Sequence, residues 1–168
     1  MKSFFSKALS IGAVLSLAAA VYTGRAQVKS VSTDELTRQS DVVVIGKVAG
    51  MKSGWNSDRS RIFTTVTVAV DQTLKGDAGG ASTTILIPGG EVDGVGELYS
   101  HTAQFRKDEE VVVFARKDKQ GRLRVVAGEH GKLSVSEDAA TGARLVSGAG
   151  TLTQLTQQVK AATGEIVK

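Results

Sequence analysis

Ser100 and His101 stand side by side, and the other histidine of the chain, His130, follows Glu129 inside Gly128-Glu129-His130-Gly131. A hydroxyl beside an imidazole suggests a nucleophile and its base. Adjacent residues do not place the two groups in that geometry, however, and no glycine-flanked serine precedes a helix. His130 in its glycine-flanked bend reads as a turn residue bonded to backbone. Glu91, Asp93, Glu97 and His101 share one glycine-containing stretch. Carboxylates and imidazole suit zinc or a hard cation, but the spacing matches neither a calcium loop nor a helical histidine pair. The glycines 89, 90, 94 and 96 lack the helix start and following lysine of a phosphate loop.

Arg116, Lys117, Lys119, Arg122 and Arg124 surround a single carboxylate, Asp118. Such a concentration at a hairpin tip can recognise an anionic envelope polymer or an acidic partner protein, and it also keeps an edge hairpin from pairing with other sheets. Trp55, the only tryptophan, and Arg59 lie in the polar stretch 50–60. There the indole serves either as a binding aromatic at a loop tip or as a ring folded over the open end of the domain. The candidate binding residues are therefore Trp55, Arg59, Glu91, Asp93, His101, Arg116, Lys117 and Lys119. No catalytic residue, metal ligand or cofactor is assigned.

These residues hang on a framework whose centre is RIFTTVTVAVDQTLKG, residues 61–76. Side chains alternate along a strand, so Ile62, Thr64, Val66, Val68 and Val70 fall on one face. Before it, Ser32 and Glu35 have the spacing of a capping box, which predicts a short helix to about Gln39. The run Val42 to Ile45 then predicts a strand buried on both faces, with Lys47 reaching water. The stretch 50–60 is expected to be a loop, and residues 91–102 are expected to be the longest irregular region. Further strands are expected at 82–87, 110–115, 122–127, 132–136 and 144–146, the later ones joined by tight turns as a meander. Thr151 and Gln154 offer a second capping box, with Leu152, Leu155 and Val159 at helical spacing.

The first residues have the composition of a secretory leader: Lys2 and Lys7, the apolar stretch 8–21, and Gly24-Arg25-Ala26. Cleavage is expected after Ala26, or alternatively after Ala20. Residues 27–168 would then form one domain, in the periplasm or outside the cell. The apolar stretch is shorter than the roughly 20 residues of a spanning helix, and no membrane span is expected in the mature chain. Removing the leader takes away Lys2, Lys7 and Arg25 and no acid, so the formal charge of +4 falls by three. A near-neutral domain poor in aromatics gives no reason to expect a nucleic-acid partner. The chain holds no cysteine, which excludes disulfides, thiolate metal sites and thiol catalysis.

The succession SDVVVIGKV, FTTVTVAVDQTLKG, ILIPGGEVDG, FRKDEEVVVFAR and LRVVAGEHGKLSV resembles a family of exported bacterial domains of uncharacterised function. The match spans about residues 33–135, and its strongest elements are Leu74-Lys75-Gly76 and Gly89-Gly90. Asp108-Glu109 stand where that family usually has a glycine before its acidic pair. More distantly, the helix, the valine-rich strand and the strand ending in Lys-Gly are similar to netrin-like, tissue-inhibitor-of-metalloproteinases domains. That resemblance implies a mainly β fold: a single antiparallel OB-like β-barrel of five to seven strands, with a short N-terminal and an amphipathic C-terminal helix. The cysteine through which those inhibitors chelate zinc is absent. The expected function is an exported, non-catalytic binding or interaction domain. The alternatives are a hydrolase or metal-dependent enzyme using residues 89–102, and an inhibitor of a secreted protease.

Overall fold

The computed structural model describes residues 31–164. The leader and its cleavage sites lie outside the described residues. Helix α1, Thr33–Gln39, starts at Ser32, whose side chain accepts from the Glu35 amide at 3.2 Å. The expected reciprocal bond is replaced: the Glu35 carboxylate accepts from Gln39 one turn further on, at 3.2 Å. Strand β1, Val42–Trp55, and strand β2, Ile62–Lys75, form a long antiparallel pair running from Val43↔Lys75 to Trp55↔Ile62. β2 buries Ile62, Thr64, Val66 and Val68 in alternation, as its sequence predicts.

The expected loop at 50–60 is corrected, because β1 continues to Trp55 and only residues 56–61 turn. Asn56 holds the turn, its Oδ1 accepting from the Ser60 and Arg61 amides, each at 2.9 Å. The outer half of β1 pairs with the buried stretch of β2, but none of its own residues 49–55 is buried. It therefore needs no apolar face, and its composition looks loop-like.

The remaining strands are β3 (Ser82–Pro88), β4 (Gly90–Val92), β5 (Val95–Glu97), β6 (Glu110–Lys117), β7 (Leu123–Val125), β8 (Lys132–Glu137), β9 (Arg144–Val146) and β10 (Gly150–Thr151). The fold is mainly β, with ten strands among the described residues rather than five to seven. Nor is it wholly antiparallel, since β3 meets β7 in parallel at Ile85↔Leu123. The pairings β1–β2, β2–β3, β3–β7, β7–β6 and β6–β1 return to their starting strand. β8 joins β6, not β7, after a 3-10 turn at Gly128–Gly131, so the expected meander is interrupted there. β9 and β10 extend the sheet from β8. Within the expected irregular region, β4 and β5 form a short hairpin of their own.

Two apolar clusters hold the layers together. One gathers Val44, Val66, Val68, Ile85, Phe105 and Val113; the other gathers Leu36, Val43, Ile45, Phe114, Leu155 and Val159. Consecutive residues of β1 thus enter different clusters, which is why Val42 to Ile45 carry no polar side chain. Helix α2, Leu152–Thr163, covers the second cluster. Its first turn is closed by Thr151 and Gln154, each side chain bonded to the other residue's amide.

The exit of β2 locks this arrangement. Lys75 Nζ donates to the carbonyls of Thr37 and Ser40, both at 2.6 Å, and so caps the C-terminal end of α1. Gly76 follows at φ +70°, where a Cβ would lie 2.0 Å from the Asp41 carbonyl oxygen. The Lys-Gly pair is therefore a clamp on the α1–β1 junction, and only glycine fits its second position.

Candidate functional site

The basic hairpin predicted from sequence forms between β6 and β7. Its tip is organised by Asp118, which accepts from the Gln120 amide at 2.9 Å and from the Arg122 amide at 3.0 Å. Arg122 Nε reaches the same carboxylate at 2.8 Å. That guanidinium bond, aided by the amides, holds the Asp118 carboxyl below its ordinary range. The acid at the tip is thus already paired, and a second carboxylate beside the patch, Asp41, accepts from the Lys117 amide at 2.7 Å.

Beside the hairpin lies an open cleft of about 560 Å³. Leu86, Ile87 and Pro88 of β3 and Val125 of β7 supply its apolar part. Arg116, Lys117, Lys119 and Arg124 supply cations, and His101 lines the cleft with them. Among the described residues none of these four cations enters an ion pair with a carboxylate. Arg124 is the most confined of them: half-buried, it lies over the Phe63 ring at 5.3 Å from the ring centre. Burial pulls its guanidinium below the ordinary arginine value and the Arg122 charge acts the same way, while Asp118 opposes.

The cleft opens because a strand pairing stops. Val126 N–H donates to the Phe114 carbonyl at 2.9 Å, so alternation turns the backbone of Val125 toward β3. Gly89 N–H donates to Ile62 at 2.9 Å, so the backbone of Leu86 and Pro88 turns toward β7. In a continuing parallel ladder, position 88 would supply the next donor to the Val125 carbonyl, and proline has no N–H. The pairing ends at Ile85↔Leu123.

His101, Arg116, Lys117 and Lys119 are brought together by this cleft. Glu91 lines a second cleft, on the other side of Ile87 and Pro88, while Asp93, Trp55 and Arg59 line neither. Trp55 is half-buried at the end of β1, paired with Ile62, and Arg59 is an exposed turn residue at φ +56°. The second cleft is internally bonded. Glu97 accepts from the Ile62 amide at 3.1 Å and from the Tyr99 hydroxyl at 3.0 Å, and Arg61 donates to Tyr99 at 2.8 Å. Thr64 Oγ1 donates to the Gly89 carbonyl at 2.7 Å. A Cβ on Gly90 would lie 2.4 Å from both Ser53 Oγ and Thr64 Oγ1. Close backbone approach, rather than a phosphate loop, accounts for the glycine pair.

The groups of the enzymatic alternative do not converge. His101 Nδ1 pairs with Glu129 Oε1 at 3.3 Å, and His130 lies in the 3-10 turn with its amide bonded to Ala127 at 3.2 Å. Among the described residues no three histidine, cysteine, aspartate or glutamate side chains gather as metal ligands. Also among them, no helix is long and apolar enough to cross a membrane. Sequence reasoning placed Arg124 in the basic patch without singling it out, and it missed the Arg61–Tyr99–Glu97 chain. The strand-interior position of Arg124 beside Leu123 and Val125 was the available signal for the first. Nothing local in sequence links Arg61 to Tyr99. Neither a scan against protein-family models nor a search of curated proteins finds a match.

Proposed function

We propose that this chain is an exported, non-catalytic binding domain built on an OB-like barrel, and that it docks an anionic partner at the cleft beside the β6–β7 hairpin. The barrel reading is supported by the five pairings that return to β1 and by the parallel meeting of β3 and β7, an arrangement suited to a small, partly open barrel. Export is supported by the lysine-flanked apolar leader and the small residues near position 26. The observation that carries the binding reading is the set of four cations around one cleft, none of them in an ion pair among the described residues. The acids beside it are engaged elsewhere: Asp118 by Arg122, Asp41 by the Lys117 amide at 2.7 Å and Glu129 by His101. Like charges held together without counter-ions repel one another and attract an oxyanion-bearing ligand.

The test is retention of the purified protein on immobilised anionic envelope polymers and on secreted acidic proteins. It compares the wild type with Arg116→Ala/Lys117→Ala/Lys119→Ala. Exposed charge pairs contribute about 0.5–1 kcal/mol each, so the triple variant should bind roughly ten- to a hundredfold more weakly. Equal retention of the two proteins removes the cleft from the account.

A further inference from the structure

The cleft is more than a charged surface, because it lies where the sheet has an unfinished edge. Three features meet there. The Val125 carbonyl faces a β3 position occupied by Pro88, which cannot donate. Leu86, Ile87, Pro88 and Val125 offer an apolar wall against which alternate side chains of a strand could pack. The cations Arg116, Lys117, Lys119 and Arg124 stand around it without acid partners among the described residues.

No phenylalanine, tyrosine or tryptophan lines the cleft. The Phe63 ring lies against the Arg124 guanidinium. A nucleobase or a sugar ring therefore finds no aromatic face to stack on. A polypeptide needs none, since its backbone supplies donors and its alternating side chains supply charge and apolar surface.

We propose that the cleft takes an extended acidic peptide segment of a partner protein, whose backbone donates to the Val125 carbonyl where the β3–β7 pairing stops and whose carboxylates meet Arg116, Lys117, Lys119 and Arg124. This rests on the anion-binding reading above and narrows it to one ligand class and one docking mode. Arg124 is the least exposed of the four cations. Its guanidinium is oriented by Phe63 behind it and presents a planar fork that a carboxylate can meet with two parallel bonds.

The probe is an eight-residue peptide alternating glutamate and valine. Two further versions are methylated on the amide nitrogens of all glutamates or of all valines. Dextran sulfate and polygalacturonate serve as non-peptide polyanions. Binding to the purified protein is followed by calorimetry and by backbone amide NMR. The parent peptide should bind and shift the amides of residues 86, 87, 101–103, 124 and 125. One methylated version should bind at least tenfold more weakly than the parent, because a strand directs only alternate amides to its neighbour. Arg124→Met, which keeps the apolar stem over Phe63, should weaken the peptide at least fivefold with an unchanged melting temperature.

Equal binding of the parent and both methylated peptides overturns the strand-pairing mode. An Arg124→Met protein that stays folded and binds the peptide undiminished overturns the role of Arg124. Binding of dextran sulfate or polygalacturonate without binding of the peptide overturns the peptide proposal and leaves the anion-binding reading standing. If neither class binds, both fall.

Discussion

Replacing Gly76 with alanine tests whether the Lys75-Gly76 clamp sets the geometry of the α1–β1 junction. Two costs follow from its position. A residue with a Cβ at φ +70° loses about 1–2 kcal/mol relative to glycine. The new Cβ would also lie 2.0 Å from the Asp41 carbonyl oxygen, a backbone atom that yields only if β2 or the junction shifts. That shift pulls Lys75 from the carbonyls of Thr37 and Ser40. Hydrogen bonds from a charged donor contribute about 1.5–3 kcal/mol. With the two bonds of the single Lys75 ammonium counted together as one such contribution, the expected loss for Gly76→Ala is about 2.5–5 kcal/mol. Gly79 supplies the internal control, because it too has a positive φ, +82°, but a Cβ there would meet nothing within 4 Å. Gly79→Ala should cost only the backbone share, about 1–2 kcal/mol.

Urea unfolding followed by far-UV circular dichroism measures both losses. A third variant, Lys75→Met, closes the cycle: its effect should be large in the wild-type background and small once Gly76 is alanine, since the bonds it removes are already broken. Losses for the two glycine variants that agree within about 0.5 kcal/mol would refute the clamp. So would full additivity of Lys75→Met with Gly76→Ala.

Two further outcomes follow from local geometry. Burial opposes ionisation of Glu109, but hydrogen bonds from Lys132, Ser134 and the Arg106 amide outweigh it and hold the carboxyl below its ordinary 4.5. A lowered folded value stabilises the protein above the unfolded value and is lost as pH falls through the folded one. Glu109→Gln should therefore be less stable at pH 7 by about 1.5–3 kcal/mol, and its stability should decline less steeply than wild type below about pH 4.5, as read by urea midpoints across pH. Thr151→Ala removes the side chain that accepts from the Gln154 amide at 3.2 Å, and should cost about 1 kcal/mol in the same unfolding assay.

Much of this fold can be read along the chain wherever burial imposes a period. β2 alternates because one of its faces is enclosed, and Val42 to Ile45 are uniformly apolar because both faces are. The Thr151–Gln154 box and the Leu152, Leu155, Val159 stripe are local patterns, and both occur as expected. Legibility fails where no face is enclosed. The outer half of β1 reads as loop because none of its side chains is fully buried, so no apolar period is imposed on it. The β4–β5 hairpin is too short to show a period. The parallel meeting of β3 and β7 joins residues far apart in sequence by one pairing, and no local pattern announces it. The same division runs through the site. Arg116, Lys117 and Lys119 stand out as a charge cluster. The cleft that gives them a shared direction depends on Pro88 and Val125, whose relation exists only in three dimensions. Glu97, grouped by sequence with Asp93 and His101 as a ligand set, instead serves the Ile62 amide and Tyr99.

The alternation of β1 between two apolar clusters has a consequence for how the domain comes apart. β1 and β6 are party walls: Val43, Ile45, Val112 and Phe114 close the compartment under α2, while Val42, Val44, Val111 and Val113 close the other. Opening the compartment under α2 bares Val43, Ile45, Val112 and Phe114 on the same strands that bound its neighbour, so loss of the helical side weakens the wall of both. A one-residue slip of β1 along β6 would exchange the contents of both compartments at once. The shared wall thus makes strand register and cooperative unfolding two expressions of the same constraint.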